Sequence, residues 1–241
     1  MKIDKISIVI PILNEEKNLN RLVKQIKTTT NKLKLKKFEL ILIDDDSKDK
    51  SEKMLASLVK KNKFLRYYIR KGLKSDLSKS CILGFEKTKF SNILVMDGDL
   101  QHPPRYIEHI TKKFFSNKVD VVVGSRNLFH QRDPGLSLFR YISSIIIIYV
   151  INFFLENKTS DPLSGFFIFK KKIYLKNKNK LFGKGYKILL DIIHSSTGKM
   201  RILDQNIYFD SRKKGKSKMS IYVLLQLLIF LFRRSIFKWM K

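Results

Sequence analysis

The sequence predicts an α/β domain built on a doubly wound sheet, and three observations carry that prediction. Short, continuous apolar runs alternate with stretches whose apolar residues recur every three or four positions. The runs lack the in-out alternation of a one-sided sheet, as strands covered by helices on both faces should. Acidic and polar clusters follow the ends of these runs, and in open α/β sheets ligands bind in the crevice beyond the carboxyl ends of the strands.

The first unit is strand, loop and helix. Ile6-Ser7-Ile8-Val9-Ile10-Pro11 is a β-rich run ending at a proline, and Asn14-Glu15-Glu16 then offers an N-cap with acid in the first helical turn. Leu19, Leu22, Val23 and Ile26 follow at helical spacing. Phe38 to Ile43 is the second strand, and it ends in Asp44-Asp45-Asp46-Ser47-Lys48-Asp49. Met54, Leu55, Leu58 and Val59 mark the next helix; Phe64 to Ile69 is a third strand, Ser75 to Phe85 a helix, and Asn92 to Met96 the fourth strand. That strand runs into Asp97-Gly98-Asp99-Leu100-Gln101-His102-Pro103-Pro104, read as a tight acidic turn followed by a helix from Pro103 to about Phe115. Val119 to Gly124 is the fifth strand, and it delivers Ser125 and Arg126 to the same rim.

The composition then shifts. Leu136 to Leu155 contains Ile145-Ile146-Ile147-Ile148 and Phe153-Phe154, apolar nearly all round, the mark of a helix that is buried or in contact with lipid. Its uninterrupted part, Ile145 to Leu155, is too short to cross a hydrocarbon core of roughly 30 Å at about 1.5 Å per residue. Asp161-Pro162-Leu163-Ser164-Gly165 is a turn-rich connector, Phe166 to Phe169 a short strand, Tyr186 to Ser195 a helix and Arg201 to Phe209 a final strand. A basic loop, Arg212-Lys213-Lys214-Gly215-Lys216-Ser217-Lys218, comes next. The run Ile221 to Phe232, closed by Arg233-Arg234 and Lys238-Trp239, suits a helix lying in a membrane interface; a core helix and a single span are the other readings.

The formal net charge is +29, from 50 Lys+Arg against 21 Asp+Glu. Such an excess draws a chain to nucleic acid, anionic headgroups or phosphorylated substrates, and a Lys-rich source genome would produce it too. The lone Cys81 excludes an intramolecular disulfide and fits a reducing compartment. No secretory leader is expected, because Met1 to Lys5 are polar and Ile6 to Leu13 read as core.

Asp97 and Asp99, with only Gly98 between them, are spaced to turn oxygens toward one hard divalent cation, and Gln101 adds a neutral oxygen. Mg²⁺ or Mn²⁺ suits this donor set. A solvated acidic turn capping the next helix explains an isolated Asp-x-Asp equally well, so the motif needs support from elsewhere.

Support comes from the order of the motifs. Pro11-Ile12-Leu13-Asn14-Glu15, the run Ile43 to Asp49, the run Met96 to Pro104, Gly124-Ser125-Arg126, Asp161 with Ser164-Gly165-Phe166, and Arg212 through Ser217-Lys218 occur in the order seen in polyprenyl-phosphate hexosyltransferases. The chain thus resembles the dolichol-phosphate mannosyltransferase-like members of the inverting family-two glycosyltransferases, over about residues 5 to 219. The resemblance implies the GT-A fold, a Rossmann-like nucleotide-sugar-binding domain over 1–218 that includes an apolar interface helix at about 137–155. Residues 219–241 would then be a membrane-associating helix.

It also implies roles for individual residues. Pro11, Leu13, Glu15, Ile43 and Asp45 match the base and ribose pocket, and Asp97, Gly98, Asp99 and Gln101 the diphosphate and metal site. Arg126 matches an arginine near the phosphates; Arg140 and Ser144 match positions that hold the acceptor's lipid phosphate. Arg212 and Lys218 match a basic loop that closes over the nucleotide diphosphate. Asp97, Asp99, Arg126, Arg140 and Ser144 are therefore the residues expected to carry the reaction. Three positions depart from the family pattern: Leu13 replaces a frequent Tyr, Phe167 a frequent Arg, and Leu73-Lys74-Ser75-Asp76 lacks the usual glycines. A different sugar or nucleotide would account for them.

The implied reaction moves a hexose, mannose first and glucose second, from GDP-mannose or UDP-glucose to a polyprenyl or dolichyl phosphate at the cytosolic face of a membrane, with inversion. No nucleic acid is expected as a partner, and a membrane-spanning partner subunit would suit a chain without a convincing span of its own. A divalent cation with Arg212 and Lys218 would absorb the charge that develops on the departing diphosphate. A lipid phosphate acceptor is already ionised near pH 7, so no general base is required. The four histidines are scattered, and His102 reads as structural. A hydroxyl acceptor, in contrast, calls for a carboxylate base, for which Asp161 and Asp191 are the nominees. Two rivals follow: a glycosyltransferase of the same fold acting on a saccharide or protein hydroxyl, and a basic membrane- or nucleic-acid-binding protein without turnover.

Overall fold

Strand and helix alternate as the apolar runs predict. The computed structural model describes residues 5–33, 35, 37–126, 138–185, 187–196 and 198–208. Its elements are β1 (Ile6–Ile12), α1 (Glu16–Lys32), β2 (Phe38–Asp44), α2 (Ser51–Lys61), β3 (Leu65–Ile69), α3 (Leu77–Lys87), β4 (Asn92–Val95), α4 (Tyr106–Asn117), β5 (Val121–Arg126), α5 (Leu138–Phe154), β6 (Phe167–Lys170), α6 (Lys171–Asn177), α7 (Ile188–Ser195) and β7 (Ile202–Ile207). The strands form one sheet in the order β3-β2-β1-β4-β6-β5-β7, with β6 antiparallel to both of its neighbours and the other pairs parallel.

The sheet is double-faced because successive side chains point to opposite sides and both sides are apolar. Ile6, Ile8, Ile10 and Ile12 of β1, Leu40 and Leu42 of β2, Leu94 of β4 and Ile168 of β6 pack under α1, α2 and α4 through Leu22, Ile26, Leu55, Ile107 and Ile110. The alternate residues, Val9, Ile41, Ile43, Val95, Val121, Phe167 and Phe169, pack under α3, α5, α6 and α7 through Cys81, Phe85, Ile151, Ile173 and Leu189. Each layer excludes water from one face, so the central strands are largely apolar on both faces, while the edge strands β3 and β7 are half-buried.

Several boundaries differ from the expectation, for local reasons. Asn14 is not the N-cap of α1. It adopts a left-handed backbone at φ 58, and Glu15 takes the capping position without a side-chain cap bond. The helix expected from Pro103 starts at Tyr106, because the two prolines form a tight turn in which Tyr106 and Ile107 N–H donate to Pro103 and Pro104 carbonyls at 3.0 Å each. The helix expected from Ser75 starts at Leu77, capped by the Asp76 carboxylate. The fifth strand is shifted by two residues and carries Arg126 within it. The basic stretch at α6 was not expected to be helical; Ile173 and Tyr174 anchor it in the lower core.

Pro11 opens the crevice. In a parallel sheet alternate residues address opposite neighbours, and the last β1–β4 bond runs from Met96 N–H to Val9 carbonyl. Pro11, two residues on, has no N–H to continue that ladder, so pairing with β4 stops at Val9 while pairing with β2 goes on to Asp44. The sheet divides there, and Asp97 emerges into the gap.

Candidate active site

A cleft of about 140 Å³ lies where β1 and β4 part, lined by Pro11, Ile12, Leu13, Glu15, Asp45, Ser75, Leu77, Asp97, Gly98 and Asp99. It sits at the reversal of strand order, the position at which doubly wound sheets take ligands.

The first wall is the acidic run after β2, most of which is structural. Asp44 is 1% exposed and its carboxylate accepts Ser47 N–H at 3.0 Å and Ser47 Oγ–H at 2.5 Å. Burial pushes this carboxyl up, against the pull of the Ser47 bonds. Asp49 accepts N–H from Glu16 at 3.1 Å and from Ser51 at 2.9 Å, tying the run to the start of α1 and α2. Asn14 completes the lacing, donating its N–H to Ser47 Oγ at 2.8 Å and accepting Lys48 N–H at 2.7 Å. Asp45 alone of these acids lines the cleft. Its buried carboxylate pairs with Arg70 and accepts Ser75 Oγ–H and Asp76 N–H, both at 2.6 Å.

The second wall is the turn after β4. Asp97 is more open, with its side chain 37% exposed, and Asp99 accepts Gln101 N–H at 3.0 Å. Leu100 is held at φ 63, a left-handed conformation that costs a non-glycine residue of order 1–3 kcal/mol and clusters at functional sites. His102 lies beneath the turn, 2% exposed, its ring 5.5 Å from that of Phe166. His102 Nδ1 lies 3.3 Å from both the Asp97 amide nitrogen and Asp97 Oδ2, so the histidine braces the turn from below. Gly165 closes the turn from the other side: a Cβ there would lie 2.6 Å from Asp97 Oδ2. The Ser-Gly-Phe segment is locked in place by Ser164 Oγ–H donating to Gly124 carbonyl at 2.6 Å and Gly124 N–H to Phe166 carbonyl at 2.7 Å.

On the other side of β4 from β1 in the strand order, Arg126 at the end of β5 is bound by Asp161 through Nε–H at 2.9 Å and Nη2–H at 3.3 Å. Asp161 is fully buried and Arg126 is about one third exposed at 36%, so the acid orients the guanidinium rather than facing a ligand.

The expected site residues therefore divide. Pro11, Leu13, Glu15, Asp45, Asp97, Gly98 and Asp99 meet at the cleft. Ile43 does not line it; its side chain is fully buried in the core beneath α3. Gln101 flanks the turn outside the lining. Arg140 and Ser144 fall on the first two turns of α5, where side chains lie outside the described residues, as do Arg212, Lys218 and the whole of 219–241. The sequence marks His102 only as structural and Gly165 only as part of the Ser-Gly-Phe motif; folding is what sets both against Asp97.

The donor set fits a magnesium-like ion in part: Asp97 and Asp99 on one turn would supply two of the hard carboxylate oxygens such an ion takes. No group of three or more His, Cys, Asp or Glu that would form an all-protein cage occurs among the described residues.

Residues 7–180 match the pattern of glycosyl transferase family 2. The dolichol-phosphate mannosyltransferase of Pyrococcus furiosus is 30% identical over 238 residues, 98% of this chain but 64% of that protein, so the chain spans less than two thirds of this relative. The dolichol-phosphate mannosyltransferase of Saccharomyces cerevisiae is 28% identical over 246 residues, 97% of this chain and 88% of that one. Among solved structures, glucosyl-3-phosphoglycerate synthase from Mycobacterium tuberculosis in complex with Mn²⁺ and UDP-glucose superposes with a TM-score of 0.68 at 17% identity, over 95% of this chain and 78% of that chain, a likeness of fold. Since the family pattern runs from β1 past α6 and takes in both walls of the cleft, the chain belongs to glycosyl transferase family 2, as a dolichol-phosphate mannosyltransferase-like member.

Proposed function

We propose that this protein transfers a hexose from a nucleotide sugar to a polyprenyl phosphate, with inversion, at the cytosolic surface of a membrane. Mannose from GDP-mannose is the first candidate and glucose from UDP-glucose the second. The observation that carries the reading is the pair Asp97 and Asp99 at the parting of β1 and β4, beside a cleft whose far wall is Asp45 and Leu13. The two aspartates, with Gln101, would hold Mg²⁺ or Mn²⁺ against the donor diphosphate, and such an ion offsets negative charge on the leaving group. Arg126, oriented by Asp161, would address the acceptor phosphate, joined by Arg140 and Ser144 of α5; Arg212 and Lys218 would close over the diphosphate. A phosphate monoester needs no proton removed, so the site needs no general base.

The hydroxyl-acceptor rival lacks its base among the nominated residues. Asp161 is consumed by Arg126, and Asp191 accepts N–H from Phe182 at 3.0 Å and Gly183 at 2.7 Å. Membrane association is supported by α5, whose Ile148 and Ile151 are buried while Ile146, Tyr149, Val150 and Phe153 are 55, 65, 37 and 83% exposed. The exposed four recur at i, i+3, i+4 and i+7, a single apolar stripe suited to lie in an interface. No helix among the described residues is long and apolar enough to cross a membrane. The protein with Mn²⁺, polyprenyl phosphate and either donor should yield a lipid-linked hexose, and chelation should stop it. Consumption of a saccharide hydroxyl acceptor, with no lipid product, would overturn the proposal.

A further inference from the structure

Asp161 orients Arg126, and a short stretch of the loop between α5 and β6 orients Asp161. Thr159 is buried, and α5 grips its backbone: Asn152 Nδ2–H donates to Thr159 carbonyl at 2.9 Å, and Thr159 N–H donates to Asn152 Oδ1 at 3.4 Å. β7 grips its side chain, since Thr159 Oγ1–H donates to Asp204 Oδ1. The other oxygen, Asp204 Oδ2, accepts Ser160 N–H at 2.7 Å. Ser160 Oγ in turn lies 2.6 Å from Oγ of Ser125, the residue before Arg126 on β5. Asp161 N–H returns to Thr159 Oγ1 at 3.4 Å, and its carboxylate takes Arg126 N–H, Nε–H and Nη2–H.

An acid is out of place where Asp204 stands. The pleat turns Ile202 and Asp204 to one face of the sheet, where Ile202 packs in the layer of α3, α5, α6 and α7, while Leu203 and Ile207 pack in the opposite layer. A carboxylate among apolar side chains costs free energy unless donors meet it, and Thr159 and Ser160 are the donors. Its backbone is held as well, because Lys113 of α4 donates to Asp204 carbonyl at 2.6 Å. Asp204 pairs in register with Val123, so the clamp is anchored on the strand beside the one that delivers Arg126. Pro162 follows Asp161 and biases that residue to extended backbone, so fixing residues 159 and 160 also fixes the direction in which Asp161 leaves them.

We infer that Asp204 is a positioning residue: by binding Thr159 and Ser160 it fixes Asp161, and through Asp161 it holds the Arg126 guanidinium at the angle from which it meets an anionic substrate group. The inference rests on the proposed transferase reading, in which that group is the acceptor phosphate.

Two measurements on the full-length protein test it. The first needs no ligand. The Arg126 Nε–H resonance, assigned by its loss in Arg126→Lys, is followed by hydrogen exchange in the parent, Asp204→Ala and Thr159→Val. Its exchange should be about tenfold faster in Asp204→Ala, and faster by less in Thr159→Val, with the amides of β1 and β2 unchanged. The second titrates citronellyl phosphate, and separately GDP or UDP with Mn²⁺, by calorimetry into the parent, Asp204→Ala, Arg126→Ala and the double variant. Asp204→Ala should weaken by about tenfold the ligand that Arg126→Ala weakens, and add nothing in the double variant, since a residue acting through Arg126 has no route once Arg126 is gone. Arg126 exchange equal to the parent's in both variants, or losses that multiply in the double variant, overturns the inference. If Asp204→Ala does not melt cooperatively, Thr159→Val, which keeps the side-chain volume, decides by the same criteria. Faster Arg126 exchange with the binding loss confined to the nucleotide, or in a parent that binds no citronellyl phosphate, upholds the clamp and overturns the acceptor reading, which separates the two failures.

Discussion

Two acidic turns flank the crevice, and they are used in opposite ways. After β2, Asp44 and Asp45 are 1 and 5% exposed, and their oxygens are taken up by Ser47, Arg70, Ser75 and the Asp76 amide. After β4, Asp97 keeps 37% of its side chain open and neither aspartate is among the buried residues. A carboxylate surrounded by donors is already satisfied and builds the wall. The turn after β4 is shaped by its backbone instead, through the left-handed φ of 63 at Leu100 and the missing side chain of Gly165 beside Asp97. Local acid density thus does not tell a buried structural carboxylate from one that lines the cleft with part of its surface exposed.

Breaking the second turn should cost activity and little else. Asp99→Asn is expected to lower hexose transfer by about 10²–10³-fold, the scale of losing one electrostatic stabiliser, with melting temperature nearly unchanged. Retention of more than a tenth of the parent rate would remove the distinction between the turns. Breaking the first turn should cost the fold: Asp45→Ala leaves the Arg70 guanidinium buried without its partner, a loss of about 3–5 kcal/mol in a urea titration. A smaller variant sharpens the contrast. Gly165→Ala drives a methyl into the Asp97 carboxylate and should weaken Mn²⁺ binding about tenfold, the order found for groups that orient a metal ligand, as read by electron spin resonance titration.

The smallest expected effect is in acid. Burial raises Asp49, but the bonds from Ser51 and Glu16 N–H outweigh it and hold the carboxyl below the usual aspartate range. A folded value below the unfolded one means stabilisation present above about pH 4 and lost as pH falls through the folded value. Asp49→Asn should therefore flatten the loss of stability below about pH 4, by under about 1 kcal/mol because the group is exposed. Asp44, raised by burial, has the opposite sign, and Asp44→Asn should steepen it.

Much was legible in the sequence because it depends on short-range pattern. Continuous apolar runs such as Phe38 to Ile43 suit strands with two covered faces, and the alternation with helical spacing then dictates a doubly wound sheet with its ligands at the carboxyl rim. Asp97-Gly98-Asp99 stood out for the same reason: its two carboxylates sit one residue apart in the sequence. What decided the rest was distance in sequence. Asp45 meets Arg70 across 25 residues, Gly165 meets Asp97 across the antiparallel pairing of β4 with β6, and Asp161 fixes Arg126 across 35. Ile43 shows the converse, since a residue next to the motif can still point into the core once the pleat assigns it a face. Composition and spacing therefore determined the sheet and the position of the acidic turn at its rim. Only the packed tertiary structure determined which carboxylates are buried among donors and which keep exposed surface at the cleft, because that depends on partners the chain brings together by folding.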